Sequence, residues 1–266
     1  MAIRVIDDTI LQGIAEAIQE KDGGGKMYDT EMRGRIEPLS SPIFEQIVNR
    51  TATGVVASSE VRYLLTHMFC EVGSITGVIL NANPLFIGGP PLSRNPSRMF
   101  DECWNLKFAI MPHLTVERNN FFGEYVFSKC YNLKIVVLNT MGEDPRGDIY
   151  NDANAMKQLV VTNNTIMPLT STNTFSHSAI SNGTCSICVP DTLKEDYKTT
   201  TNWSVYANQF KGYSEYPDYD ASITYTIGDL CKFNNKLYAW INEVDGNSMP
   251  SGDVDEYGDW YCVANI

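Results

Sequence analysis

A nine-residue phrase with regularly spaced apolar residues occurs twice in the middle of this chain. Residues 99–107 read MFDECWNLK, and residues 126–134 read VFSKCYNLK. The two copies share a phenylalanine, a cysteine, an aromatic residue, an asparagine, a leucine and a lysine in step, and each copy leads into an apolar run. Self-similarity at a period of roughly 20 to 50 residues is typical of repeat architectures. Fainter copies lie at 68–80, 156–161 and 174–189, so the pattern predicts four or five turns of a repeat.

Each copy predicts one corner and one strand. The phenylalanine fills the interior, the asparagine bonds to backbone at the corner, and the leucine opens a short strand such as Ile135–Leu138. One unit of this size cannot bury its apolar face alone, so neighbouring units must stack. We therefore expect Phe100 and Phe127 in one continuous core, and Cys103 one repeat step from Cys130.

The repeated phrase resembles the unit of BspA-type leucine-rich repeats, in which F-x-x-C-x-x-L precedes a short strand. Residues 189–207, VPDTLKEDYKTTTNWSVYA, are similar to the terminal unit of such arrays, especially in tail proteins of bacteriophages. The resemblance implies a leucine-rich-repeat solenoid over residues 39–212. The expected fold class is mainly β with short helices (α+β).

A helix is expected to cap the last repeat. Trp203, Tyr206, Ala207 and Phe210 follow the i, i+3, i+4, i+7 spacing of one apolar helical face. Such a cap would protect the open edge of the last unit from water or from another chain.

The first 38 residues predict a helical leader. An apolar stripe from Ile10 to Ile18 indicates a helix that ends at the glycines 23–25, and a second helix is expected from near Asp29 to Ile36. The phrases IAEAIQEK and EMRGRI resemble the leader that precedes leucine-rich repeats in phage tail proteins, which implies an attachment segment at 1–38. Helices that only cover the first repeat would give the same pattern.

Residues 217–266 predict a separate small β module. Asn234-Asn235 lies between two alternating apolar runs, which is a hairpin signal, and Trp260–Val263 predicts a further strand. The segment resembles the small three-stranded modules of carbohydrate-binding families 5 and 12. The positions that carry this resemblance are Tyr225, Gly228, Asp229, Phe233, Tyr238, Pro250 and Trp260.

The second resemblance implies a sugar site. Sugar rings present flat C–H faces to exposed aromatic rings, and their hydroxyls need carboxylates or amides nearby. The predicted carbohydrate-binding residues are Trp240, Tyr257 and Tyr225, with Asp259 as a polar partner. Since a module of this size has few other apolar residues, a core role for the same aromatic residues is the competing interpretation.

Charge and composition restrict the function classes. The formal net charge is -12, and no basic run is present, which argues against nucleic acid as a partner because phosphate binding rests on clustered Lys and Arg. Residues 211–266 contain ten acidic residues and three lysines, so this segment carries -7 of the total. Neither a secretory signal nor an apolar stretch of about 18 residues is found, so we expect a soluble polypeptide made in the cytosol and no membrane insertion.

The seven cysteines do not predict a disulfide framework, since their number is odd and no export signal is found. Cys185 and Cys188 have the spacing of a metal-binding pair, yet residues i and i+3 of an extended strand face opposite sides, which favours a packing role over zinc. Familiar catalytic motifs are missing, and His67, His113 and His177 are isolated in sequence. We therefore predict no catalytic residues, no metal ligands and no cofactor.

Together these observations predict a non-enzymatic bacteriophage virion protein of the tail, baseplate or a fibre that engages a host-surface glycan or protein. The first alternative is a purely structural scaffold or decoration subunit of the virion, and the second is a bacterial surface adhesin of the BspA type. The expected partners are other virion proteins and a host cell-surface glycan. A homo-oligomer such as a trimer is compatible with the sequence, although no heptad run requires one.

Overall fold

The computed structural model describes residues 5–6, 54–57, 63–64, 69–80, 85–87, 97–116, 122–142, 145, 147–250 and 259–266. The predicted leader helices and Tyr257 lie outside these ranges, and of residues 1–38 only a short strand at Val5–Ile6 is described.

Fourteen strands are present among the described residues. In chain order they are β1 (Val5–Ile6), β2 (Gly54–Ala57), β3 (Tyr63–Leu64), β4 (Gly77–Leu80), β5 (Leu85–Ile87), β6 (Phe108–Met111), β7 (Leu114–Val116), β8 (Ile135–Leu138), β9 (Gln158–Val161), β10 (Ser186–Val189), β11 (Phe210–Gly212), β12 (Leu230–Phe233), β13 (Lys236–Trp240) and β14 (Trp260–Asn265). One α-helix, α1 (Lys194–Thr199), is described, together with 3-10 turns at Thr172–Phe175, Asp191–Leu193, Trp203–Gln209 and Tyr213–Glu215.

Eight of the strands form one parallel sheet in the order β1-β2-β4-β6-β8-β9-β10-β11. Three further short strands, β3, β5 and β7, form a second parallel sheet, and β12, β13 and β14 form an antiparallel one. In the large sheet Val136 and Leu138 belong to the inner core, whereas Ile135 and Val137 belong to a second core on the opposite face. Both faces of β8 are thus covered, as is usual for parallel sheets.

The inner core contains a column of aromatic rings, one from each repeat. Phe100 stacks on Phe69 at a centroid distance of 5.3 Å and on Phe127 at 5.2 Å, and Tyr150 continues the column at 5.3 Å from Phe127. Phe175 follows at 5.6 Å from Tyr150. The prediction that Phe100 and Phe127 share one continuous buried core is therefore confirmed.

Two residues after each ring, the chain turns at a corner residue in the left-handed region. These corner residues, with φ between 53° and 63°, are Glu71, Glu102, Lys129, Asp152 and His177. The backbone N–H of each of the first four donates to a carbonyl of the next repeat, for example from Glu102 to Ser128 O at 2.9 Å. Hydrogen bonds between repeats therefore continue beyond the sheet and around the corner.

The predicted fold class is wrong. We expected an α+β leucine-rich-repeat solenoid with a helical leader and a helical cap, but the described residues form parallel sheets with few helices and a small antiparallel sheet, and no leucine-rich-repeat solenoid is seen. The interior column is aromatic, and the corners that follow the rings are turns with left-handed residues. A phrase with leucine at a fixed position was therefore insufficient to define that family of folds.

The predicted cap helix also differs. Residues 203–209 form 3-10 turns interrupted at Tyr206, whose φ of -105° and ψ of 15° are not helical, and Phe210 begins strand β11. Trp203, Tyr206 and Phe210 are nevertheless buried in the inner core next to Phe175 and Tyr197. The apolar spacing identified residues that pack together, but not their backbone conformation.

The antiparallel sheet matches its predicted strands and packs on the outer face of the large sheet. Asn234 and Asn235, with φ of 50° and 58°, form the turn between β12 and β13, which confirms the hairpin. The second core joins outward residues of the large sheet, such as Phe108 and Val137, to Trp240 and neighbouring residues of the C-terminal segment. The three-stranded sheet has its own topology but shares this core with the parallel sheet.

Polar contacts follow the same interface. The Lys157 ammonium lies 2.9 Å from Asp229 Oδ1 and 2.6 Å from Thr226 Oγ1, and the Lys107 ammonium lies 3.6 Å from Glu243 Oε2. The Tyr213 hydroxyl donates to Val161 O at 2.6 Å. The acidic C-terminal segment therefore contacts lysines that directly precede strands β6 and β9.

Candidate functional site

The residues predicted to form an exposed sugar platform are largely buried. Trp240 is 1% exposed and Tyr225 is 3% exposed. Trp260 contacts both edge-on, with centroid distances of 5.0 Å to Trp240 and 4.7 Å to Tyr225. The indole N–H of Trp240 donates to Asn242 O at 3.1 Å. The expectation that Trp240 and Tyr225 present free ring faces is therefore wrong, because both rings lie in the second core.

The burial of Trp240 follows from the environment of its strand. All residues from Leu237 to Trp240 are buried, so both faces of β13 are covered. A strand with one solvated face would have alternated between buried and exposed residues. The packing of the outer face of the large sheet against this segment removes that alternation.

Asp259 has a structural role in the described contacts. One of its carboxylate oxygens accepts from the Asn242 side-chain amide, and the other accepts from the Ser248 hydroxyl. Tyr257, the fourth predicted site residue, lies outside the described residues. The structure thus brings Trp240, Tyr225 and Asp259 into one region, but as parts of a packed module.

Two large aromatic side chains are exposed at equivalent positions of adjacent repeats. Trp104 is 47% exposed and Tyr131 is 50% exposed, and each lies four residues after a buried ring of the column. We call this pair the aromatic patch. Sequence reasoning noticed both residues as part of the repeated phrase but did not separate them from the core positions.

A signal for their exposure was present in the repeat pattern. The matching positions in the neighbouring repeats are Gly73 and Asn154, which are not core residues. A position that accepts glycine, tryptophan, tyrosine and asparagine cannot be one that fills the interior, since core positions are sensitive to volume.

Backbone hydrogen bonds from asparagine side chains fix both members of the patch. The side-chain amide of Asn105 donates to Gly73 O at 2.7 Å, and that of Asn132 donates to Trp104 O at 2.8 Å. The predicted hydrogen bonds from these asparagines to backbone are confirmed. Each one ties its own repeat to the preceding repeat directly beside the exposed ring.

The charges beside the patch are paired. The Lys129 ammonium lies 2.6 Å from Glu102 Oε1, and this contact raises the pKa of Lys129. Lys129 therefore remains protonated at neutral pH, and the pair carries no net charge.

Cys185 and Cys231 do not provide reactive thiolates at neutral pH. Burial raises the pKa of Cys185 and Cys231 to about 12, so both thiols are protonated at neutral pH. Cys185 belongs to the inner core and Cys188 to the second core, as expected for opposite faces of a strand. Among the described residues no three His, Cys, Asp or Glu side chains come together as a group that could hold a metal ion.

Within the described ranges, no helix is long and apolar enough to cross a membrane. Comparisons with protein-family models, with curated proteins and with solved structures each gave no match to this chain. The family resemblances therefore rest on the quoted residues alone.

Proposed function

We propose that this chain is a non-enzymatic component of a bacteriophage virion, on the tail, the baseplate or a fibre, that engages a ligand on the host surface. The observation that carries the binding role is the aromatic patch. Trp104 and Tyr131 are about half exposed at equivalent positions of a frame whose other repeated aromatic residues are buried. The virion location rests on the sequence phrases at 14–36 and 189–207, which resemble phage tail proteins.

The physical argument for binding is one of exposure on a rigid support. Large exposed aromatic side chains on a surface, when they are grouped, mark sites of interaction. Binding is stronger where the contacting side chains are already ordered, since less conformational entropy is lost. The hydrogen bonds from Asn105 to Gly73 O and from Asn132 to Trp104 O hold the backbone that carries the two rings.

Two measurements test this proposal. Antibodies raised against the full chain should label purified particles of the virus that encodes it, at the tail or a fibre, in electron micrographs. The purified full chain, presented in many copies on beads, should adhere to host cells and compete with the virus for adsorption. Absence of label on intact and on detergent-opened particles would overturn the virion assignment.

A structural scaffold is the second candidate, and the burial of Trp240 and Tyr225 favours it. The C-terminal segment, for which a sugar site was predicted, covers the outer face of the large sheet instead. A scaffold subunit would be labelled by antibody on the particle, yet the purified chain would neither adhere to cells nor compete for adsorption. The two candidates are thus separated by the adhesion measurement.

A further inference from the structure

The Trp104 side chain lies against the backbone of Gly73. A Cβ atom at residue 73 would stand 2.9 Å from Trp104 Cε3 and 3.2 Å from Cζ3, closer than side chains normally approach. The absence of a side chain at Gly73 therefore creates the space in which the six-membered ring of Trp104 rests. The indole is supported on one side, while 47% of the residue remains exposed.

Tyr131 occupies the same position one repeat further along. The strands that follow the two residues, β6 and β8, are direct neighbours, with Phe108 paired to Ile135. Neighbouring strands are separated by about 4.8 Å. Trp104 and Tyr131 therefore follow one another along the row of repeats, one strand apart.

Polar groups that can serve sugar hydroxyls lie beside both rings. Asn105 and Asn132 are exposed, and each uses its amide N–H₂ group to bond to a backbone carbonyl. The amide oxygens remain as hydrogen-bond acceptors, because an asparagine side chain carries both functions. Two charged residues close to the patch in the repeat, Glu102 and Lys129, form an ion pair with each other.

From this arrangement we propose that the aromatic patch binds an extended, uncharged glycan chain, with successive sugar rings stacked on Trp104 and Tyr131. This inference rests on the proposed function and names the class of ligand that the aromatic patch binds. Neutral sugars fit the paired charges, whereas a nucleic acid would require unpaired basic residues. A proline-rich peptide would require an aromatic-lined groove, whereas this patch consists of two exposed rings.

A patch of two rings gives weak binding at a single site. Linked weak sites gain about 100-fold to 10,000-fold in avidity through effective concentration when geometry allows simultaneous engagement. Many copies of the chain on one particle would supply this gain, so the patch needs no deep pocket.

The test uses the purified full chain in native gels that contain glycol chitin, hydroxyethyl cellulose or yeast mannan. These probes are polymers of N-acetylglucosamine, of glucose and of mannose. We expect at least one polymer to retard the wild-type chain, and the double variant Trp104→Ala/Tyr131→Ala to show at least tenfold weaker retardation with that polymer. Val205→Ala is the matched control, since Val205 is 65% exposed and lies in the 3-10 segment after α1.

Two further variants separate positioning from general surface effects. Tyr131→Phe keeps the ring and should retain retardation within about threefold of wild type. Gly73→Ala keeps both aromatic residues but displaces Trp104 from its support, so retardation should weaken although the ring is still present. Far-ultraviolet circular dichroism and the urea midpoint of every variant should match those of the wild type.

The inference is overturned if none of the three polymers retards the wild-type chain, or if the double variant is retarded as strongly as the wild type. If particles are labelled and cells are bound while no polymer retards the chain, the glycan assignment fails and the proposed function stands. If a polymer is bound through Trp104 and Tyr131 while particles are never labelled, the glycan site stands and the virion assignment fails.

Discussion

The ring of Phe108 on β6 occupies the space that a side chain on Gly77 of β4 would need. A Cβ atom at residue 77 would stand 2.0 Å from Phe108 Cζ, and both residues are buried. The two are register partners on adjacent strands, so neither can move far along the sheet. Phe108 belongs to the second core, and its position therefore supports the C-terminal segment as well as the sheet.

Gly77→Ala should lower the free energy of unfolding by roughly 1–3 kcal/mol, the cost of forcing extra volume into a packed core. The loss should be smaller in a Phe108→Ala background, because the ring that clashes is then absent. Urea unfolding of the two single variants and the double variant measures the coupling energy. Gly147→Ala is the control, since a Cβ there would meet Asn173 atoms at an ordinary 3.6 Å. Additive effects at Gly77 and Phe108 would contradict the contact.

Phe127→Ala should lower the free energy of unfolding by roughly 3–5 kcal/mol, the usual cost of an emptied aromatic site. Phe127 is fully buried between Phe100 and Tyr150, and Phe122 contacts its edge at 6.2 Å. Tyr131→Ala, four residues away at an exposed position, should change stability by about 0.5 kcal/mol or less. A loss below about 1 kcal/mol for Phe127→Ala would mean that the column does not support the core.

Limited proteolysis should not release residues 217–266 as a stable fragment, contrary to the prediction of a separate small β module. The aromatic residues of this segment share a core with Phe108, Val137 and other outward residues of the large sheet. A fragment cut from that sheet would expose the shared apolar surface to water. Mass spectrometry of a digestion time course makes the measurement, and a persistent fragment beginning near residue 217 would show that the segment folds without the sheet.

Two variants at the interface between the C-terminal segment and the large sheet should differ in their loss of stability. Tyr213→Phe removes a buried hydroxyl that donates to Val161 O at 2.6 Å and should cost about 1–3 kcal/mol, because the carbonyl loses its partner. Lys157→Met should cost about 1 kcal/mol or less, since the pair with Asp229 is partly exposed. Thermal unfolding of both variants tests the order. A larger effect for Lys157→Met would indicate that charge, and not apolar packing, holds the segment.

Stability should fall at alkaline pH. Burial raises the pKa of the Cys185 thiol from 9.0 and of the Tyr197 phenol from 10.0, each to about 12. As pH rises through 9 to 12 the unfolded chain loses these protons first, so it binds fewer protons than the folded chain and the free energy of unfolding decreases. The stabilisation is complete below pH 9 and is lost as pH approaches 12. Urea unfolding at several pH values under reducing conditions measures this slope, and Cys185→Ala should make it shallower.

The repeated phrase allowed the inner core to be predicted from sequence, because its spacing is a local property. Strand Ile135–Leu138 has the predicted bounds, and Phe100 stacks on Phe127 as the spacing required. The sequence signal for the hairpin at Asn234-Asn235 was also local, since asparagine tolerates positive φ.

The burial of Trp240 could not be predicted from local sequence, because it depends on residues far away in the chain. The outer face of the large sheet, which includes Ile79 and Val160, covers the segment that contains Trp240. Local sequence gives the alternation of a strand but not the layer that packs on its second face. The prediction of a cap helix was wrong for a related reason. Tyr206 contacts Phe175 and Trp203, which are brought near it by the tertiary fold, and its backbone is not helical.

The five corner residues in the left-handed region carry side chains of different charge. A non-glycine residue in this region costs on the order of 1–3 kcal/mol and persists only where surrounding structure imposes it. At the first four of these residues hydrogen bonds between repeats impose it, for example from Lys129 N to Asn151 O at 2.8 Å. Glutamate, lysine, aspartate and histidine all occupy the same corner, so the backbone there is indifferent to the sign of the side-chain charge. The molecule can therefore change its electrostatic character repeat by repeat along this edge, and thereby its preferred partner, without rebuilding the frame.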